Sequence, residues 1–143
     1  MTALSESMDF DTWYESVKKE VEQIDILIAA PRSHDCECLF NELDVLLQWL
    51  ARSAELVSIA ESEFKQKLGK TIIENMSKEI STNLLLKIAE GKCGKELQKY
   101  RRIERQNAGL VHAIDGIRTL LSYQKETMKM NNVSQGNKYD KTK

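Results

Sequence analysis

The sequence predicts an all-α protein: a bundle of three to four helices, two of them long, with a coiled-coil-like C-terminal helix. Three observations predict it. Turn formers are scarce, with one proline, Pro31, and six glycines in 143 residues, where an all-β chain of this size needs many more. Apolar residues recur at three- and four-residue spacing along most of the chain, the period of one helix face. The composition, 41% apolar and 30% charged, is that of a folded domain long enough to bury a hydrophobic core.

The elements follow in order. Residues 1–8 read as a loose terminus, and 9–130 as a single helical domain. Asp9, Asp11 and Thr12 are each suited to cap a first helix, and Thr12 with Glu15 has capping-box spacing. Its face is Phe10, Trp13, Val17, Val21, Ile24 and Ile28, and Pro31 ends it by pushing Ala30 out of helical geometry. A second helix starts near Ser33 to Asp35. Its stripe is Leu39, Leu43, Leu46, Leu50, Ala54, Val57, Glu61, Phe64 and Leu68, and Gly69 is the expected stop. Phe40, Leu47 and Trp49 widen the face, so more than one neighbour is expected. A third segment carries Ile72, Ile73, Met76, Ile80, Leu84 and Ile88, with a break expected at Ser81, Thr82 and Asn83, all poor helix formers. Gly91 and Gly94 bracket a turn holding Lys92 and Cys93.

The fourth segment, Leu97 to Met128, keeps a heptad register. Tyr100, Asn107, Ile114, Leu121 and Met128 alternate with Ile103, Leu110, Ile117 and Gln124. Beside that seam runs a smooth line of Gly109, Ala113 and Gly116, where another backbone can approach closely. Each glycine costs about 1 kcal/mol of helix propensity relative to alanine. From 131 to 143 the chain is nearly free of apolar residues and reads as a disordered, mildly basic tail.

No apolar run approaches the ~20 residues of a membrane span, and the first thirty residues hold no basic leader followed by an apolar core. The three cysteines, Cys36, Cys38 and Cys93, are an odd count that argues against a disulfide framework. The expectation is a cytoplasmic protein with no membrane contact. Charge is divided along the chain: residues 1–64 carry 14 acids and 4 bases, net −10, and residues 65–143 carry 17 bases and 8 acids, net +9. Either the halves attract each other or the basic half meets an anionic partner.

Chemistry-bearing motifs are weak. His34, Cys36, Cys38 and Cys93 are residue types that hold zinc, but no cysteine pair has the two-residue gap of a zinc knuckle, and residues two apart on a helix diverge. His112 and Asp115 share a helical face with no nucleophile near them in sequence. Glu22 and Asp25 are spaced to share a face without a matching second pair. No phosphate-binding loop, dinucleotide fingerprint, metalloprotease motif or nucleophile elbow is present. No catalytic residue, metal site or cofactor is assigned. The densest charge feature is basic: Lys92, Lys95, Lys99, Arg101, Arg102 and Arg105, a set able to hold phosphates. Asn107, Leu110, Ile114, Ile117 and Leu121 form the expected self-association seam, because a buried asparagine in a heptad core finds a ready partner in its own copy.

The run RRIERQNAGLVHAIDGIRTLLSYQKETM, Arg101 to Met128, resembles the C-terminal helix of small helical proteins of tailed bacteriophages. The likeness covers about a fifth of the chain in texture, without a diagnostic motif. It implies a viral or mobile-element origin and no particular activity. The expected function is non-enzymatic: binding a protein partner or a second copy through helical surfaces, with a nucleic-acid-associated role for segment 92–105 as the alternative.

Overall fold

The computed structural model describes residues 9–77 and 79–140, with side chains described through Asn131. The expected terminus at 1–8 and the last three residues of the expected tail lie outside the described residues. The chain forms four helices: α1 (Phe10–Ala29), α2 (Cys36–Asn75), α3 (Thr82–Lys92) and α4 (Gly94–Asp140). The all-α bundle predicted from composition and periodicity is what forms.

α1 is capped by Asp9, whose carboxylate accepts from the Thr12 backbone N–H at 2.7 Å. Thr12 and Asp11, the other cap options, lie in the first turn. The helix ends where proline dictates, with Ala30 extended at φ −63°, ψ 135°. Arg32 reaches back and donates to the last-turn carbonyls of Leu27 and Ile28 at 2.8 and 3.3 Å, satisfying two acceptors that no helical N–H can reach.

α2 is capped by Asp35 and runs 40 residues, about 60 Å. It does not stop at Gly69. Lys67 pairs with the buried Glu96 of α4, and the Thr71 hydroxyl lies 3.4 Å from the Cys93 thiol. These tertiary contacts on both sides of the glycine outweigh its propensity cost. Ile72 and Ile73, expected in the third segment, therefore belong to α2. At its end Asn75 donates to the Thr71 carbonyl at 2.7 Å and accepts from Lys92 at 2.5 Å. The break comes earlier than expected, directly after Asn75; Ser81 is the N-cap of α3, accepting from the Leu84 N–H at 3.3 Å, and Thr82 and Asn83 lie inside that helix. Cys93, buried, is the whole junction between α3 and α4. Its N–H bonds to Ala89 and its carbonyl accepts from Leu97, so the expected glycine-bracketed turn is a one-residue interruption rather than a loop.

Contacts set the directions. Cys36 meets Gln124, Ser53 meets Asn107 and Phe64 stacks on Tyr100, so α2 and α4 are antiparallel. Asp11 meets Lys99 and Asp25 meets Arg102, so α1 runs parallel to α4. The core lies between these three helices, with Trp13, Val17, Val21, Ile24, Leu39, Leu46, Leu56, Ile103, Leu110 and Ile117 fully or almost fully buried. On α2 the buried line is Leu39, Leu46, Ser53 and Ala60, each seven apart, flanked by Leu43, Leu50, Val57 and Phe64. Ala54 and Glu61 of the expected stripe sit one position off it, because packing against α4 selects a seven-residue repeat, slightly tighter than a straight helix.

α4 outlasts its partner. α2 starts at Cys36, level with Gln124, and every residue from Lys125 to Asn131 is exposed. Met128, expected in the seam, is therefore solvent-facing. The α4 backbone stays helical to Asp140, beyond the boundary at 130 that composition predicts, since extending an existing helix needs no new nucleus.

Candidate functional site: an open face between the two long helices

The seam predicted for self-association is closed within one chain. Leu110, Ile114 and Ile117 are buried, and Leu121 packs half-buried against the same core. Asn107 finds its hydrogen-bond partner across the seam, donating to the Ser53 hydroxyl at 3.3 Å. Ser53 is 1% exposed, so the two form one polar layer in an otherwise apolar stack. The expected partner copy is replaced by α2, which supplies the hydroxyl that a second asparagine would have supplied. Beyond it, Gln124 closes the seam by donating to the His34 carbonyl at 2.6 Å and accepting from the Cys36 thiol.

The basic cluster divides by face. Lys99 pairs with Asp11 at 2.7 Å and sits 4.9 Å from the centre of the Tyr14 ring. Arg102 pairs with Asp25 at 2.8 Å and donates to the Tyr14 hydroxyl at 3.2 Å. Gln106 completes that corner, bridging the Asp25 carboxylate and the Val21 carbonyl, each at 2.7 Å. Partial burial works against the Asp25 carboxylate, but the hydrogen bonds from Gln106 and Arg102 and the arginine's charge hold its pKa below the usual value. So Lys99 and Arg102 do join the acidic to the basic half. Lys92 bonds to Asn75, while Lys95, Arg101 and Arg105 are exposed and make no ion pair among the described residues.

The candidate chemistry-bearing residues are scattered. Cys36 and Cys38 open α2, whereas Cys93 lies beside Thr71, about 50 Å along that helix, so these thiols and His34 do not share a site. A hydrogen bond to Asp35 pushes the Cys38 thiol up, away from the thiolate that binds metal or attacks. No group of three or more metal-ligating side chains converges among the described residues. His112 and Asp115 are both exposed, and Asp115 faces Arg118 at 3.9 Å. The smooth line on α4 has one working member: a Cβ on Gly109 would stand 3.0 Å from Ile28 Cδ1, whereas one on Gly116 would meet nothing. Gly109 thus marks the close approach of α1.

What the sequence did not show is an apolar face left open. α1 covers one side of the α2–α4 pair. It is tied to α2 by the two-pronged Glu20–Arg52 pair at 2.9 and 3.0 Å, and to α4 through Gln106. Leu47 lies five residues before Arg52, and Val111 five residues after Gln106. Five residues place a side chain roughly 140° round a helix, so both point away from α1. Phe40, one heptad before Leu47, shares its line. Phe40 is 61% exposed, Leu47 38% and Val111 40%. The half-buried Leu43, Leu50 and Leu121 lie between them as the floor. The expectation that Phe40 and Leu47 widen a buried face is overturned: only Trp49, of those three, packs against the core. The signal in the sequence was a matched spacing. Glu37 and Asp44 are seven apart beside Phe40 and Leu47, and Arg118 and Lys125 continue the Val111 line at the same interval.

A second group of exposed apolar side chains, Ile73, Met76 and Leu84, lies where α2 turns into α3. No helix among the described residues is long and apolar enough to cross a membrane. Compared with family models, curated proteins and solved structures, the chain matches none.

Proposed function

We propose that this chain is a non-enzymatic, cytoplasmic protein-binding module, and that the α2–α4 face carrying Phe40, Leu47 and Val111 is its binding surface. The supporting observation is the contrast between a sealed seam and an open face on the same two helices: Leu110 and Ile117 are fully buried while Phe40, one layer outward, is 61% exposed. Large apolar side chains gathered on one face and rimmed by charge are the ordinary composition of a protein contact. A helix laid into that groove buries them and completes a fourth layer.

A photo-reactive amino acid placed at Leu47 tests the reading in the cells that make the protein, with Lys18 on the outer face of α1 as the control position. Discrete protein adducts at 47 and none at 18 are expected. Nucleic-acid adducts at 47, or equal yields at both positions, would overturn the reading.

A second reading has one observation in its favour. Lys95, Arg101 and Arg105 are exposed cations on α4 without an ion pair among the described residues, and such groups hold phosphates. Under that reading, changing all three to glutamine weakens binding of a short duplex or single strand and flattens its salt slope by about three at most.

A further inference from the structure

We propose that the open face is the contact between two copies of this chain, related by a two-fold axis parallel to the helices, with α2 of each copy lying on α4 of the other. This rests on the reading of that face as a protein-binding surface and names its occupant. The argument is charge and register. The α2 rim of the face carries Glu37 and Asp44, one heptad apart, and the α4 line carries Arg118 and Lys125, one heptad apart. All four are exposed, and none has an ion pair to another helix among the described residues, the Arg118–Asp115 pair being within α4.

The antiparallel register supplies the levels. Cys36 is level with Gln124 and Ser53 with Asn107, so Asp44 lies within about two residues of the level of Arg118, and Glu37 within about two of Lys125, roughly 3 Å of rise in each case. A two-fold axis parallel to the helices leaves every level unchanged. It carries α2 across to face α4 of the second copy. Asp44 then meets Arg118, Glu37 meets Lys125, and Leu47 meets Val111, each contact made twice as an isologous interface requires. A two-fold axis perpendicular to the helices instead lays α2 antiparallel on its own copy, so that the Glu37 and Asp44 rim of one chain faces the same acidic rim of the other, which like-charge repulsion disfavours. The apolar line ends beyond Ala54, where Glu61 is paired with Lys65 at 2.6 Å and Glu104 accepts from the Tyr100 hydroxyl at 2.8 Å, and these set the end of the contact. The result is a four-helix layer in which the intermolecular α2–α4 pairs are antiparallel, as the intramolecular pair is.

Sedimentation velocity on the purified full chain at tens of micromolar tests it. A dimer is expected that weakens as salt is raised. Reversing one rim, by Glu37→Lys with Asp44→Lys or by Arg118→Glu with Lys125→Glu, weakens the dimer about tenfold or more. All four changes on one chain restore it, because α2 and α4 are again opposite in sign; that restoration also shows that the loss was not a failure to fold. Leu47→Gln with Val111→Gln reads the same contact without touching charge. A dimer indifferent to both rims and to the Leu47/Val111 pair overturns the proposal. A wild-type monomer at these concentrations also overturns it, but leaves the protein-binding reading to the crosslink at Leu47: an adduct to a different protein rescues that reading, and absence of any adduct removes both.

Discussion

At the scale of single residues, polar groups decide which partner each helix takes. Asn107 occupies a core position, and its pairing with Ser53 makes a polar layer. The net contribution of such a pair is about 1 kcal/mol. A double-mutant cycle with Asn107→Leu and Ser53→Ala therefore returns a coupling near that value, read by urea denaturation, and the double variant folds with stability close to wild type or above it. Zero coupling would mean that the layer contributes nothing to the choice of partner. Asp25 offers a pH signature. Its folded pKa lies below the ordinary carboxylate value, owing to Gln106 and Arg102 overcoming partial burial. A depressed folded pKa contributes stability above the ordinary value and loses it as the pH falls through the folded one. The stability gap between wild type and Asp25→Asn is thus widest near neutrality and closes below about pH 4. Both side chains of the Asp25–Arg102 pair are nearly half exposed, so the gap is ~0–1 kcal/mol.

At the scale of the element, the long helices are set by what they pack against. Two glycines in α4 separate propensity from packing. Gly116 is open, so Gly116→Ala gains helix propensity without a clash and raises stability by about 1 kcal/mol. Gly109→Ala gains the same propensity, but its methyl stands 3.0 Å from Ile28 Cδ1, and that side chain must shift. The expected order of melting temperature is Gly116→Ala above Gly109→Ala; equal gains would show that the approach of α1 at Gly109 is not a constraint. α3 is the least secured element. It buries only Leu85 and Ala89 and leaves Leu84 and Leu86 exposed.

At the scale of the whole molecule, the bundle is two unequal parts sharing α2 and α4: a three-helix body with α1, and an end formed by α3 against the last turns of α2. The body holds nearly all of the fully buried side chains, including Trp13, Ile24, Leu46 and Ile103. Backbone amide exchange should follow that division. The amides of α3 exchange well before those of α4 between Ile103 and Ile117, because local opening there exposes little apolar surface. Uniform protection across the chain would mean that both parts open together. The overhang of α4 past Gln124 leaves Met128 and Met130 uncovered, and in the proposed dimer it emerges beside Lys125 at the edge of the contact.

The sequence alone carried the fold class, a count of three to four helices and a short choice of caps for the first two. These are local: Asp9 and Asp35 satisfy N–H groups three residues away, Pro31 restricts Ala30, and three- and four-residue apolar spacing needs no knowledge of the neighbour. The Tyr100–Asn107–Ile114 register was also legible, because heptad spacing is carried by one helix alone. Only the tertiary structure decided who fills that register. A heptad core looks the same whether its partner is a second copy or α2 of the same chain, and Ser53, which settles the matter, lies 54 residues from Asn107. The same holds for the run of α2 through Gly69, fixed by Lys67 with Glu96 and Thr71 with Cys93, and for Phe40 and Leu47. Their apolar character is a property of the residue, but their exposure follows from α1 covering one side of the α2–α4 pair and nothing among the described residues covering the other.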